Sequence, residues 1–398
     1  MTTQAALDTS PDPLFPPELT EIIISNVGDK ATLRVCSLVC RAWLITTRDQ
    51  LHHRLFLAGE KILPFLVMLS SPHNTYVDVV QTIQIVGAEN APVLLARLPE
   101  FSHLKTIEIQ GVDFPYQFSA LPAVTSLTVY SKFPSFYAFT QFLTRFPGLK
   151  TLILGPITFD NESPPSIEST ALSATLRLDQ LSLVADWFDN DRVRDWLASE
   201  PIGLVTRDLT LRFYTLDSQR ANAISQFIHR LGAHLKHLHL LDLAYCRVPS
   251  YPAEEVDLRL STALRTLHIG GAINFCLYLD PPDPLPDGDS LLNYPAWDLH
   301  ISPRLIPLLK RFTSESLESL IFDVNIVEWR FAPREPSSLG AFIGIFERSG
   351  PYTGITKLEF RAAWETRRKH PHRETFEYMV VEQLPPSIAC VAALVTDK

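Results

Sequence analysis

The stretch Leu235-Lys-His-Leu238-His-Leu240 is one copy of a six-residue phrase that recurs along this chain of 398 residues. In each copy an apolar residue is followed by two variable residues, an apolar residue, a variable residue and a last apolar residue. Other clear copies begin at Leu104, Val124, Leu149, Leu178, Leu264 and Leu317. Looser copies end in the pairs Ile83 and Ile85, Leu209 and Leu211, and Leu358 and Phe360. The alternation of apolar and variable residues predicts a short, half-buried β-strand in every copy.

The spacing of the copies predicts how the strands are connected. The fourth position of each phrase falls at residues 83, 107, 127, 152, 181, 209, 238, 267, 320 and 358. The first seven steps measure 24, 20, 25, 29, 28, 29 and 29 residues. Apolar residues at helical spacing precede several copies, in the ranges 136–146, 221–231, 304–312 and 339–346. We therefore expect an α/β fold with a parallel sheet and right-handed crossovers. Units of this length are expected to stack into a curved solenoid, with the sheet inside and the helices outside.

Residues 76–365 resemble the leucine-rich-repeat family in an irregular form. The Asn or Cys that usually follows the strand in that family is missing, and Gly111, Ser131 and Pro156 stand near its place. The long step from 267 to 320 contains the segment 280–289, in which four prolines and four aspartates predict a projecting loop. The interval 322–358 is expected to contain one degenerate unit.

The segment 14–45 precedes the repeats and predicts two or three short helices. Pro17 suits the first position of a helix, and acidic residues at positions 18 and 21 favour its positive end. Leu19, Ile22, Ile23 and Val27 then share one face, and the chain breaks at residues 28–29. A second apolar periodicity begins near residue 31 and continues to Trp43. So few short helices bury little core by themselves and need a surface to pack against.

This segment resembles an F-box. The family's opening Leu-Pro-x-Glu-Leu matches Phe15-Pro-Pro-Glu-Leu19, with Phe for the first Leu. The second half of its pattern matches Leu33, Cys36, Val39, Cys40, Arg41 and Trp43, although the link between the helices is slightly short. The resemblance implies docking to a Skp-type adaptor and, through it, to a cullin. The residues that would form or support the adaptor-binding surface are Pro16, Leu19, Ile22, Ile23, Leu33, Val39, Cys40 and Trp43.

These patterns give an expected domain order. It consists of a disordered tail at 1–12, an F-box-like helical domain at 13–57, a connecting helix or linker at 58–75, repeats at 76–365 with a loop insertion at 278–297, and a cap or tail at 366–398.

Composition limits the partners and the compartment. Lys and Arg total 35 against 44 Asp and Glu, which gives a net charge of −9. We therefore expect no nucleic-acid partner, because phosphate binding needs positive charge. We expect no membrane span either, because the longest apolar runs are far below the roughly twenty residues that one requires. Five scattered cysteines and an N-terminus without a signal-peptide pattern predict a protein of the cytoplasm, the nucleus or both.

Few sequence motifs typical of catalysis or cofactor binding are present, so we expect no cofactor and no enzyme activity. The sequence lacks phosphate-loop, dinucleotide, zinc-protease and nucleophile-elbow patterns. Cys36 and Cys40 could suit a metal, but buried apolar cysteines are the preferred interpretation. The aspartates at 186, 189, 191 and 195 are interpreted as decorating a helix start and the surface. The basic run 367–373 could be a nuclear address or a dock for an acidic partner, but a solvated loop is the preferred interpretation.

One face of the predicted sheet carries the candidate substrate site. Residues that flank the buried positions point to that face, and register places His239 beside His268. Two neighbouring imidazoles could bind a metal or respond to pH, although an ordinary polar face is the simpler alternative. The candidate residues are Glu108, Tyr130, Arg212, His239, His268, Asp323, Glu359 and Arg361.

The resemblances together imply the substrate-recognition subunit of an SCF-type ubiquitin ligase, which holds a protein substrate on the repeats. Two alternatives stay open. In the first, the chain is an interaction scaffold outside ubiquitin transfer, and its N-terminal helices only cap the repeats. In the second, a hydrolase site is assembled from dispersed residues.

Overall fold

The structure is a computed structural model. It describes residues 16–72, 74, 76–87, 89–112, 119–160, 176–198, 205–213, 218–241, 256–259, 261–278, 297–302, 305–312, 314–329, 339–346, 352, 354–362 and 392–396. The chain divides into two compact units. The first comprises residues 1–134 and 142–148, and the second comprises residues 135–141 and 149–398.

The first unit begins with helices and continues as a parallel sheet. Its helices are α1 (Pro17–Ser25), α2 (Lys30–Cys36), α3 (Arg41–His52), α4 (Ile62–Leu69) and α5 (Ala91–Arg97). Its strands are β1 (Arg54–Ala58), β2 (Thr82–Val86), β3 (Thr106–Gln110), β4 (Ser126–Tyr130) and the two-residue β5 (Lys132–Phe133). Strands β1 to β4 pair in chain order, all parallel. The first of them lies at the end of the range 13–57 that we expected to be helical.

The phrases of the first unit occupy the predicted place in these strands. Ile83 pairs with Ile107, and Ile107 pairs with Leu127. All three side chains are fully buried. The alternation that predicted the strands therefore also gives their register, because each strand puts every second side chain into the core.

The second unit repeats this arrangement over a longer stretch. Its strands are β6 (Thr151–Leu154), β7 (Thr158–Phe159), β8 (Arg177–Val184), β9 (Val205–Arg212), β10 (His237–Leu241), β11 (Thr266–Tyr278), β12 (Trp297–Ile301), β13 (Ser319–Trp329), β14 (Lys357–Ala362) and β15 (Ala392–Thr396). Its helices are α7 (Asp191–Ala198), α8 (Ser218–Leu231), α9 (Leu305–Lys310) and α10 (Leu339–Phe346). The helix α6 (Phe136–Leu143) is divided between the units after residue 141.

One row of leucines runs through the sheet of the second unit. In the order β6, β8, β9, β10, β11, β13 and β14, parallel pairing aligns Leu152, Leu181, Leu209, Leu238, Leu267, Leu320 and Leu358. Each of these side chains is at most 1% exposed. Between β9 and β10, α8 buries Ile224, Phe227 and Ile228. The predicted α/β class with a parallel sheet is confirmed, and so are the helices expected at 221–231, 304–312 and 339–346.

The long step from 267 to 320 contains a departure from the predicted pattern. Strand β11 is 13 residues long and continues past the end of β10, and β12 pairs with this extension in the antiparallel direction. The register between β11 and β13 shifts between Gly270 and Ile273, which marks a bulge. Gly271 has a φ of 77° at this bulge, a backbone conformation that residues with a Cβ rarely adopt.

Glycine and serine occupy the strand ends where the family pattern would place Asn or Cys. The Gly87 amide donates to the carbonyl of Gln110, and the Gly111 amide donates to the carbonyl of Tyr130, both at 2.7 Å. The Ser131 hydroxyl then accepts from the Val112 amide at 3.2 Å. Backbone contacts of this kind satisfy the polar groups at the strand ends without an Asn side chain.

Several sequence-based expectations lie outside the described residues: the tail 1–12, Phe15, the loop 280–289 and the basic run 367–373. In the part of the chain that the structure describes, no helix has both the length and the apolar character needed to cross a membrane.

Candidate functional site

The N-terminal helices are set by local signals. Pro17 occupies the first turn of α1, and the carbonyl of Pro16 accepts from the Leu19 and Thr20 amides. Asp29 caps α2, because its side chain accepts from both the amide and the hydroxyl of Thr32 at 2.7 Å. These hydrogen bonds hold the pKa of Asp29 below its ordinary value. The helices α1 and α2 therefore begin at residues that the sequence specifies.

Only a small part of α1, α2 and α3 is buried. Both α1 and α2 pack on α3. The residues inside are Ile24, which is fully buried, Leu33, which is 4% exposed, and the threonines at 20 and 47. The Thr47 hydroxyl donates to the carbonyl of Trp43 at 2.6 Å, so its polar group is satisfied within the helix.

The exposed side of these helices, and of the turn between α2 and α3, carries many large apolar side chains. Among the described residues, the large hydrophobic side chains that are well exposed number fourteen, and eight of them lie between residues 19 and 45. These eight are Leu19, Ile22, Ile23, Val35, Leu38, Val39, Leu44 and Ile45. We call them the apolar helix surface. Single exposed hydrophobic residues are ordinary, but this concentration is typical of a surface that binds another macromolecule.

Helix α1 has one buried face and one exposed apolar face. Leu19, Ile22 and Ile23 stand at spacings of three and four residues and therefore share one face. Thr20 and Ile24 stand on the face about 120° away, given 100° per residue, and both are buried. The inner face packs the helix on α3, and the outer face leaves three large side chains in water.

The structure divides the eight predicted adaptor-binding residues into two groups. The exposed group contains Pro16, Leu19, Ile22, Ile23, Val39 and Cys40. Leu33 is buried and Trp43 is half-buried, so these two support the helices from within. Binding of an adaptor by any of them stays a prediction.

The interpretation of the two N-terminal cysteines was wrong. We expected a buried pair one turn apart on a single helix. Helix α2 ends at Cys36, whereas Cys40 precedes α3, and the Cys40 side chain is exposed. The reason is a turn at residues 37–39, which breaks the apparent periodicity between the two positions.

Four members of the apolar helix surface were not among the predicted site residues: Val35, Leu38, Leu44 and Ile45. Leu38 is the most exposed of the set at 84%. The sequence did contain a signal for them, because the segment holds more large apolar residues than two or three short helices can bury. Periodicity alone could not show which of them face outward.

The second candidate site is the polar face of the second unit's sheet. His239 and His268 are direct partners on β10 and β11, as predicted. Their Nδ1 atoms are 3.0 Å apart, so one imidazole donates and the other accepts. His268 is 7% exposed, and its Nε2 lies 2.8 Å from a carboxylate oxygen of Asp323. The two atoms are not aligned for a hydrogen bond.

Burial dominates the electrostatics of this pair. Burial is the largest of the effects that together lower the pKa of His239 from 6.5 to about 4. His268, His237 and Arg361 act in the same direction, and Asp323 opposes them. His239 is therefore neutral at neutral pH, so one of its ring nitrogens can accept a hydrogen bond.

A charged triplet on β14 lies on the same face. The Glu359 carboxylate is 2% exposed, with Arg361 Nε at 2.7 Å and Lys357 Nζ at 2.5 Å. Burial raises the pKa of Glu359, but the hydrogen bonds from these two cations outweigh it and lower the pKa below its ordinary value. Glu359 and Arg361 are the register partners of Ile321 and Asp323 on β13. Ile321 is in turn the partner of His268 on β11, so β13 alone separates Glu359 from His268.

Three predicted substrate residues lie apart from this cluster. Arg212 ends β9 opposite Leu241. Glu108 and Tyr130 belong to the first unit, where the Glu108 carboxylate accepts from the Gln84 amide at 3.0 Å and Tyr130 is 37% exposed. The structure thus brings together His239, His268, Asp323, Glu359 and Arg361.

The acidic cluster 186–195 has the structural role that we expected. Arg220 of α8 pairs with Asp186 and Asp189, and Asp191 stands in the first turn of α7. Among the described residues, no group of three or more His, Cys, Asp or Glu side chains is arranged to hold a metal ion. The metal interpretation of the two histidines therefore has no support from a third ligand.

Comparison with known proteins gives no relative to guide the assignment. No family model matches the chain, and no curated protein matches it. Its function has to be inferred from the two surfaces themselves.

Proposed function

We propose that this chain is the substrate-recognition subunit of an SCF-type ubiquitin ligase. The apolar helix surface docks a Skp-type adaptor, and the sheet holds a protein substrate. The chain contributes proximity and no bond chemistry, because the bound target is held near the ubiquitin-charged enzyme. We also propose that the parallel sheet is that of an irregular leucine-rich-repeat solenoid.

The observation that carries this proposal is the concentration of exposed apolar side chains on three short helices and the turn between α2 and α3. A soluble surface gains nothing from eight such residues within 27 positions, whereas a docking surface gains about 1.5–3 kcal/mol for each side chain that becomes fully buried. The F-box resemblance covers this same segment. In such interfaces a few buried anchors carry most of the binding energy.

The test is capture of the full-length chain by a purified Skp-type adaptor. We expect wild-type binding, and we expect Leu19→Asp or Ile22→Asp to weaken it at least 30-fold, about 2 kcal/mol, because each buries an unpaired charge. The matched control is Val67→Asp, which puts the same charge on an exposed apolar position of α4. Circular dichroism should show all variants folded.

Two outcomes would refute the proposal. Absence of wild-type binding would remove adaptor docking altogether. Equal loss of binding in Val67→Asp and Leu19→Asp would show that the change acts through general surface charge.

The scaffold alternative is favoured by the junction between α3 and the sheet. The His53 carbonyl accepts from the Gln81 and Thr82 amides at 2.8 and 2.9 Å, and the His52 ring packs on Tyr76 at 4.8 Å. Helices joined so firmly to the first strands suit a cap that protects the sheet. A cap and a dock differ in their response to Leu19→Asp. Because Leu19 lies on the exposed face of α1, we expect the melting temperature to stay unchanged in either case, and only a dock loses adaptor binding.

A further inference from the structure

A charged groove crosses the strands of the second unit at their N-terminal ends. Its volume is about 570 Å³, within the range of ligand-binding clefts. Three of the residues that line it are the cations Arg207, Lys236 and Arg265. Arg207 lies in β9, and Lys236 and Arg265 directly precede β10 and β11. Each stands two residues before the fully buried leucine of that strand.

The backbone fixes these three cations side by side. The Lys236 amide donates to the Arg207 carbonyl at 2.9 Å, and the Arg265 amide donates to the Lys236 carbonyl at 2.8 Å. Thr206 is buried, and its hydroxyl donates to the carbonyl of Asp208 at 2.9 Å, whereas the neighbouring Arg207 is exposed. Adjacent strands are about 4.8 Å apart, so three like charges follow one another at close range. Such neighbours repel each other unless an anion lies between them.

The cations of the groove are largely available to a ligand. Within the described part of the chain, Arg207 and Lys236 take part in no ion pair. Arg265 meets Glu318 at 3.6 Å, but both side chains are more than half exposed. An ion pair so open to water contributes little and is readily exchanged for another partner.

Acidic residues close the groove at both ends. Asp179 of β8 lies before the cations, and Glu318 lies after them, next to β13. Four strand spacings separate the two, about 19 Å. An extended peptide covers that distance with about six residues at about 3.3 Å each. Along the row of residues that stand two before each buried leucine, the order of charges is therefore negative, three positive, negative. Asp208 also lines the groove, but it stands one residue further along its strand and lies 3.8 Å from the ring of His237.

We propose that this groove binds an extended peptide segment whose central acidic residues are flanked on both sides by basic residues. The carboxylates meet Arg207, Lys236 and Arg265, and the flanking cations meet Asp179 and Glu318. A nucleic-acid backbone does not fit this order, because its phosphates would also meet the two acidic ends. Peptide binding here does not depend on adaptor docking.

The test uses the full-length chain and two capped peptides of equal composition and zero net charge. Lys-Gly-Glu-Glu-Gly-Lys matches the groove, and Glu-Gly-Lys-Lys-Gly-Glu reverses it. We expect the matching peptide to bind at least about tenfold more tightly by microscale thermophoresis at about 50 mM salt, and to weaken at about 300 mM because screening shortens the reach of charge.

Variants of the groove assign the effect to these residues. Lys236→Glu should lower the affinity for the matching peptide about tenfold or more, because like charges then face each other. The double variant Arg207→Glu/Lys236→Glu should prefer the reversed peptide. The control is Lys150→Glu, whose residue stands at the same position of the phrase beside β6 but does not line the groove.

Three results would overturn the inference. They are equal binding of the two peptides, an effect of Lys150→Glu as large as that of Lys236→Glu, and binding confined to a peptide with phosphoserine in place of the glutamates. The last result would assign the groove to phosphate. Adaptor capture is measured separately, so failure of either proposal leaves the other standing.

Discussion

Acidification should destabilise this protein through His239. Burial and its positive neighbours lower the pKa of that imidazole from 6.5 to about 4. Between these two values the unfolded chain binds a proton that the folded chain excludes, so stability falls as the pH falls through this window. Above pH 6.5 both states are neutral at this position, and the full stabilisation is present.

The size of the effect follows from the two pKa values. A single group with a pKa of 6.5 unfolded and about 4 folded loses about 2 kcal/mol of unfolding free energy between pH 7 and pH 5. Because the imidazole keeps some contact with water, we expect about 1–2 kcal/mol. That is a substantial part of the 5–15 kcal/mol that is typical of folded domains.

The assay compares wild type with His239→Gln by urea unfolding at both pH values. Gln keeps a hydrogen-bonding side chain beside His268 but does not titrate, so the variant should lose about 1–2 kcal/mol less than wild type on acidification. The control is His234→Gln, which removes an exposed histidine before β10. If wild type and His239→Gln lose equal stability, His239 is not held neutral and the reasoning fails.

Two further predictions test the packing of each unit. Gly148→Ala should lower the unfolding free energy of the protein by about 1–3 kcal/mol, because the new Cβ would overlap the backbone carbonyl of Pro122, whereas Gly340→Ala has open space and should be neutral or stabilising. Leu238→Ala should lower it by about 2–5 kcal/mol, because the fully buried side chain leaves a cavity, whereas Leu241→Ala on the polar face should cost much less. Denaturant titration measures both pairs, and equal losses within a pair would contradict the corresponding placement.

Most of the sheet could be predicted from the sequence because its signal is local. The alternation within each phrase specifies which side chains enter the core, and the fourth position of every phrase is buried. The strand β12 carries no such phrase. It forms because β11 continues past the end of β10 and leaves an edge that Trp297–Ile301 occupies. That edge depends on the relative lengths of two strands, which no window of sequence contains.

The charged groove shows a signal that was present in the sequence but was not used. The second position of the phrase is Asp179, Lys236, Arg265 and Glu318 in the copies that form β8, β10, β11 and β13. Arg207 has the same offset from the buried leucine of β9. We treated these positions as variable because strand alternation does not assign them to the polar face. Only the pairing of strands in register places them side by side in one groove.

The sequence by itself determined the positions of the strands that carry the phrase, the α/β class, the starts of α1 and α2 and the pairing of His239 with His268, because each follows from local spacing. Tertiary structure decided which apolar residues of the N-terminal helices stay in water, since their periodicity is satisfied equally by burial and by exposure. It also decided that Asp323 reaches His268. The two residues come from phrases 53 positions apart in the chain, and only the parallel register of β11 and β13 sets the distance between them.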